Sequence, residues 1–553
     1  MATRTAWLKK PHGTKGLDPL GAQAPCINLY GQLMPGITNV TARARYYSFY
    51  PWALWKFDQL GRTRTHAEVS RWIRRADCLF TMVGIRHRIA CGDGNALKHD
   101  AALIGSQTLG PIVSRLGERD SLSLSRYATN EDAPERYFMN LLGGLGQYYL
   151  GTLDGLKILG RSGHTPGYTP EIGSAMARAF DAHVDGDRFV KTMDGDVVTA
   201  QRLDQLSAFC PCQLAQSTQE HSVLLDLFFD RQGQHGEEGK QRRASLGLLL
   251  EMISALASAS GKSDARVDHH IFRACAYTGA LAGGGQWNLP SSIEATRKRW
   301  AVYERNELLS VAVQCIFWGA LRMLEEERPL LNTIDAFRAW FSKTKNVASA
   351  AAALGFASVT KGMELARNAL PDVAAWEDER HEISLGRRLL ELYSERNQRD
   401  VVADVLNASA RLLLTLLARD TFTGAAYDPM AFPADYLSLY PVNLVSLRSR
   451  WQDTWGKQSG AEWLAWLAGH WGVETHLRVA LRKLRQQNQD TFHVVPSDHG
   501  LVVAYMPEPT YTTPRFTTSM QVLQDLGAIE RPANGEWIHL NPLGEQLRGE
   551  CHG

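Results

Sequence analysis

From Arg297 to Glu326 the chain holds a single helical register, in which Trp300, Leu308, Val311, Ala312, Cys315, Phe317 and Leu321 keep a broad apolar face. A helix that long and that widely apolar must be covered by other helices, which places the chain in the mainly α class. Further helical stretches accompany it: Ser222 to Phe229, Arg242 to Ala259, the alanine-rich Thr344 to Ala369, and Val401 to Ala418. Strand-turn-strand patterning gathers near the end of the chain. At 553 residues a single core is exceeded. The expected order is an N-terminal helical domain with an irregular lead-in (1–200), a central helical domain (201–470) and a small α+β domain (471–553).

An apolar content of 44% with 21% charged residues is that of an ordinary globular protein, and the formal net charge of +2 excludes a polybasic coat while permitting local basic patches. No run of eighteen apolar residues occurs, so no membrane span is expected. The start, MATRTAWLKKPHG, lacks the apolar core of a signal peptide. Eight scattered cysteines fit reduced thiols, and with them a cytoplasmic setting. Gly283-Gly284-Gly285 is followed by no phosphate-binding lysine, and Gly143, Gly144, Gly146 and Gly151 miss the dinucleotide spacing. A nucleophile elbow, a metalloprotease helix and paired C-x-x-C motifs are also missing. The expectation is therefore a protein without cofactor or catalytic residues. A nuclease with dispersed acidic ligands is the alternative, since such sites leave little trace in a sequence.

Two places invite a metal reading. His87, Cys91, Asp93, His99 and Asp100 lie close together, but Gly92-Asp93-Gly94-Asn95 is turn chemistry and favours a polar loop. Cys210-Pro-Cys212 is a tight thiol pair whose nearest imidazoles are His221 and His235. Neither set supplies four soft ligands at customary spacing, so no metal site is expected. Asn306-Glu307 fits a helix-packing hydrogen bond, and His381 fits a solvated face. Trp451, Trp455, Trp463, Trp466 and Trp471 crowd one stretch, as if welding the helical body to the terminal domain.

Ile37 to Phe57 is the densest run of aromatic residues and arginines. Tyr47, Tyr50, Trp52 and Trp55 fit a core whose edge Arg43 and Arg45 cap, although the same residues would suit phosphates and bases. The motif GLDPLG at Gly16 to Gly21, followed by GITNVTARARYYSFYPW, resembles uncharacterised, mostly helical proteins encoded among bacterial defence genes. That resemblance implies an antiviral setting with other protein subunits and leaves room for a homo-oligomer.

At the C-terminus, Pro514 to Leu526 reads as a helix stopped at Gly527. Ala528 to Glu530 and Glu536 to Leu540 read as strands about a turn at Pro532 to Gly535, and Pro542 opens a last helix. This order resembles the back half of a winged helix-turn-helix, with the supporting helix at Glu474 to Gln487 and a hairpin, turning at Ser497 to Gly500, between them. The resemblance implies DNA binding. Arg478, Arg482, Lys483, Arg485, Arg515 and Arg531 would meet phosphates, and Thr518, Gln521 and Gln524 would face a groove. A protein partner on the same surface, or a purely structural end, are the competing readings. The functional expectation is a nucleic-acid-binding or sensing subunit of a defence complex, with a protein scaffold as a further alternative.

Overall fold

The computed structural model describes residues 17–422, 434–487, 489–498, 500–533 and 537–552. It is mainly helical, 62% helix against 6% strand, and among the described residues no sheet exceeds three strands. Two compact units divide the chain. The first comprises Met1–Tyr30, Arg273–Asn288 and Arg297–Thr512, and the second Gly31–Phe272, Leu289–Thr296 and Thr513–Gly553. This division does not follow the consecutive boundaries expected at residues 200 and 470. The segment expected to form one terminal domain is shared between the units at Thr512.

In the first unit the core forms around the long helix Ser291–Glu327 from Arg297 onward, where Val311, Ala312, Val313, Cys315, Ile316 and Phe317 have no solvent exposure. That helix is long and apolar enough to cross a bilayer, but 94% of its apolar window is buried inside the protein, as befits a core helix. The helix Val402–Phe422 packs against Lys345–Leu354, Val359–Ala369 and Glu382–Ser394. Trp455, Trp463, Trp466 and Trp471 stack edge to face in this same core, with Trp455 to Trp466 centroids 5.2 Å apart. Glu307 is buried and accepts from the Thr512 amide (2.7 Å) and hydroxyl (2.8 Å), the packing role its setting suggested. His381 is likewise buried, capping its helix by accepting from the Ile383 amide, so the solvated face expected there is not found.

The second unit is built on the aromatic run. Tyr46, Tyr47, Phe49, Tyr50 and Trp52 of the helix Tyr46–Gln59 are fully buried, and Trp55 is half-buried. The helix packs on Ile172–Asp181, and Phe80, Phe180, Phe189 and Phe209 complete an aromatic core with it. Thr65 caps the neighbouring helix His66–Cys91 by accepting from the Glu68 amide, and Gly92, in the left-handed conformation at φ 62°, ends it.

The terminal elements appear as the pattern indicated: helix Phe516–Asp525, strands Ile529–Glu530 and Trp537–Leu540, and helix Pro542–Glu550. Asn534 and Gly535 of the expected turn and Glu536 of the expected second strand lie outside the described residues, as does His499 of the expected hairpin turn. A third antiparallel strand, Ala265–Arg266, pairs with Trp537–Leu540, and the helix Gly236–Ser260 packs against these strands and against Pro542–Glu550. The elements completing this module therefore come from the middle of the chain. The expected supporting helix, Thr475–Gln487, belongs with the hairpin Val494–Ser497/Gly500–Val503 to the first unit.

Candidate functional site

The polar face of the helix Phe516–Asp525 is turned inward. Thr518, Gln521, Gln524 and Asp525 are all buried, as is Arg531. Gln521 donates to the Leu97 carbonyl (2.8 Å) and to Asp525 (2.9 Å), while Arg531 donates to Gln524 and to Gln521, each at 2.7 Å. Asp525 pairs with Arg43 at 2.9 Å and accepts from the Ala44 amide at 3.0 Å. Burial holds the Asp525 carboxyl above its ordinary range against the pull of Arg43, and burial draws Arg531 down to about 10. Arg515 donates to the Met34 carbonyl. The groups expected to read a groove are thus buried, Gln521 against protein backbone and Gln524 against Arg531. A polar stripe on an amphipathic helix marks solvent only when no polar surface covers it, and here the turn around Leu97 does.

The basic helix Thr475–Gln487 is different, because part of its charge stays in solvent. Arg478 and Arg485 are exposed, and Arg482 and Lys483 half-buried. Glu474, just before this helix, pairs with Arg478 at 3.0 Å, one helical turn away. Arg482 stacks on the Tyr440 ring (4.7 Å), and Lys483 donates to the carbonyls of Leu17 and Asp18. His476 is buried. Its Nδ1–H donates to the Pro19 carbonyl (3.0 Å) and its Nε2 accepts the His493 amide (2.8 Å), so the ring is neutral, and burial pulls its pKa to about 3. These contacts fix the Leu17 to Gly21 loop.

That loop forms one wall of an open cleft in the first unit, about 960 Å³ in volume. Gln23, Gln314, Gln487 and Gln489 face it, together with Arg396 and Lys483. Asp18 also lines it. Its Oδ2 accepts from the Gln23 amide at 3.1 Å, its Oδ1 has no partner among the described residues, and burial raises its carboxyl to about 6.

A second constellation lies in the second unit. His87, in the last turn of its helix, and His99, in the following loop, converge on Cys210 and Cys212, and their ligand atoms all lie within 4.8 Å of one another. His99 Nδ1 is 3.4 Å from Cys210 Sγ and His87 Nδ1 is 3.3 Å from Cys212 Sγ. The outer nitrogens are engaged too, His99 Nε2 with Asp93 (3.2 Å) and His87 Nε2 with Cys91 (3.3 Å). A hydrogen bond from Cys210 draws the Cys212 thiol down to about 4 against burial, while burial raises Cys210. Burial opposes the charged form of His99, but Cys212 and Asp93 outweigh it and its pKa rises. Among the described residues this is the one group of three or more metal-ligating side chains so closely gathered.

Both halves stand out in the sequence, but the imidazoles nearest the thiols along the chain are not the ones that meet them. His221 bonds the Leu526 carbonyl (2.8 Å), His235 pairs with Asp226 (3.4 Å), and Asp100 pairs with Arg88 (2.8 Å). What joins the halves is the arginine pair of the aromatic run. Arg43 donates to the carbonyls of Leu97, Lys98 and Ala101, holding the His99 loop, and Arg45 donates to those of Ala208 and Cys210. No family model, curated protein or solved structure matches the chain.

Proposed function

We propose that the chain is a non-catalytic binding protein that engages single-stranded nucleic acid in the cleft of the first unit and along the helix Thr475–Gln487. The observation that supports this reading is the chemistry of the cleft. The amides of Gln487, the last residue of the helix that exposes Arg485, and of Gln489 are exposed and offer paired donors and acceptors to base edges, and Arg396 and Lys483 offer positive charge, while the amides of Gln23 and Gln314 already bond Thr510. An open trough of about 960 Å³ suits a few unpaired nucleotides rather than a duplex. With a net charge of only +2, phosphate affinity has to come from such a local surface.

The terminal helix-strand-strand-helix order keeps its winged-helix-like character in this reading, but serves as a packing module. The motif likeness of Gly16 to Gly21 and Gly36 to Trp52 supplies the setting: a cytoplasmic sensing subunit acting beside other proteins in antiviral defence. Fluorescence anisotropy with labelled single-stranded DNA, duplex DNA and RNA tests the proposal. Single strands should bind, more weakly as salt rises, and Gln487→Ala with Gln489→Ala should lower affinity several-fold with little change in salt response. Lack of binding even at low salt would overturn it. Strand cleavage on adding Mg²⁺ or Mn²⁺ would overturn its non-catalytic part.

A further inference from the structure

We propose that His87, His99, Cys210 and Cys212 together bind one zinc ion as a closed, structural Cys₂His₂ centre. Zinc bonded to thiolate at about 2.3 Å and to imidazole at about 2.0–2.1 Å in a tetrahedron sets nitrogen and sulfur about 3.5 Å apart. The two pairs in the structure, His99–Cys210 at 3.4 Å and His87–Cys212 at 3.3 Å, already meet that requirement. A thiol-imidazole hydrogen bond would explain either distance alone. It does not explain why two such pairs point their ligand atoms at one centre.

The surroundings have the features of a metal site. Asp93 engages the outer nitrogen of His99, the carboxylate-histidine relation that fixes tautomer and ring orientation around a bound metal. Gln213 donates its amide to Cys212 Sγ at 3.3 Å, a contact suited to a thiolate. The backbones that carry His99 and Cys210 are held by Arg43 and Arg45, both fully buried. The Arg43–Asp525 pair and the Arg45–Glu220 pair neutralise those guanidinium groups, so the ligand set is fixed before any ion arrives. Two thiolates and two imidazoles select zinc over hard cations such as magnesium or calcium, and four protein ligands leave no open position for catalysis.

The centre would tie the end of the helix His66–Cys91 to the turn Pro211–Gln216, against which the terminal helix Phe516–Asp525 packs. Its loss should therefore loosen the terminal segment. This inference is independent of the nucleic-acid reading.

The full chain, prepared with zinc in the growth medium and without chelators, should carry about one zinc per molecule by elemental mass spectrometry. His87→Ala and Cys212→Ser should each lose most of it, and Cys91→Ser, which changes a neighbour rather than a ligand, should keep it. Asp93→Asn should weaken zinc about 10–100-fold in chelator competition. Should the ligand variants fail to fold, cobalt added to the zinc-stripped wild type decides. The visible band of tetrahedral cobalt with a thiolate charge-transfer band supports the centre, and hydrogen exchange should rise over 516–552 after stripping. Wild-type protein that carries under about a tenth of an equivalent of any transition metal and gives no cobalt bands would overturn the proposal.

Discussion

Arg45 illustrates how the residues of the aromatic run act. Its guanidinium lies within the core of the second unit, bonded through Nε and Nη2 to Glu220 at 3.1 and 2.9 Å, and Ser48 adds a third bond to that carboxylate at 2.7 Å. Removing one member of such a pair strands a charge in a medium that cannot solvate it. Arg45→Ala should accordingly cost about 3–5 kcal/mol, read as a drop in the urea midpoint without loss of helical signal at zero denaturant. His476 gives the matching case for protonation. Its native pKa of about 3 lies below the ordinary histidine value of 6.5, so the unfolded chain binds the extra proton first as pH falls. Its contribution is complete above about pH 6.5 and is lost progressively on acidification. Since His476→Gln cannot titrate, the stability gap between wild type and this variant should narrow by about 2 kcal/mol from about pH 7.5 to about pH 5. A gap independent of pH would mean that the ring does not have to be neutral.

At the scale of elements, the terminal module depends on close backbone approach. A Cβ placed on Gly544 would sit 2.0 Å from the Ala528 carbonyl oxygen, which is backbone and cannot rotate away. Gly544→Ala should force the helix Pro542–Glu550 off the strands beside it, costing about 1–3 kcal/mol and raising amide exchange from residue 537 onward. A variant with unchanged thermal midpoint and exchange would contradict that packing. These elements are largely legible in the sequence. Gly527, at φ +72°, ends its helix where expected, Pro542 begins the last one, and the Val494–Val503 pairing follows from apolar residues about a turn. The facing of the polar residues is not legible. Gln521, Gln524 and Arg531 have the composition of a solvent face, and segments hundreds of positions earlier make them interior: Leu97 accepts from Gln521, Asn95 donates to the Arg531 carbonyl, and Pro211–Gln216 packs on the helix. The His and Cys cluster escapes for the same reason. The C-x-C spacing is shorter than customary for zinc, and the completing imidazoles lie 111 positions away for His99 and 125 for His87. Local spacing carries no trace of neighbours brought together over such distances.

For the whole molecule, helical class is readable because long apolar periodicity leaves few alternatives, whereas unit membership is not. A core recruits segments by surface rather than by order. Met1–Tyr30 joins Arg297–Thr512, and Thr513–Gly553 joins Gly31–Phe272. That division separates the two parts of the surface first expected to bind nucleic acid. The exposed cations of the helix Thr475–Gln487 stay with the cleft in the first unit, and the polar helix Phe516–Asp525 is spent on internal packing in the second. The central claim is that binding resides in the first unit, and a salt series on Arg396→Gln/Arg485→Gln tests it most directly. Each single-strand phosphate that a cation no longer neutralises lowers the slope of log affinity against log salt by about 0.7, so the double variant should bind more weakly with a slope shallower by about 1.4. If the variant keeps its circular dichroism spectrum and binds single strands with unchanged affinity and slope, the cleft and its helix are not the nucleic-acid surface.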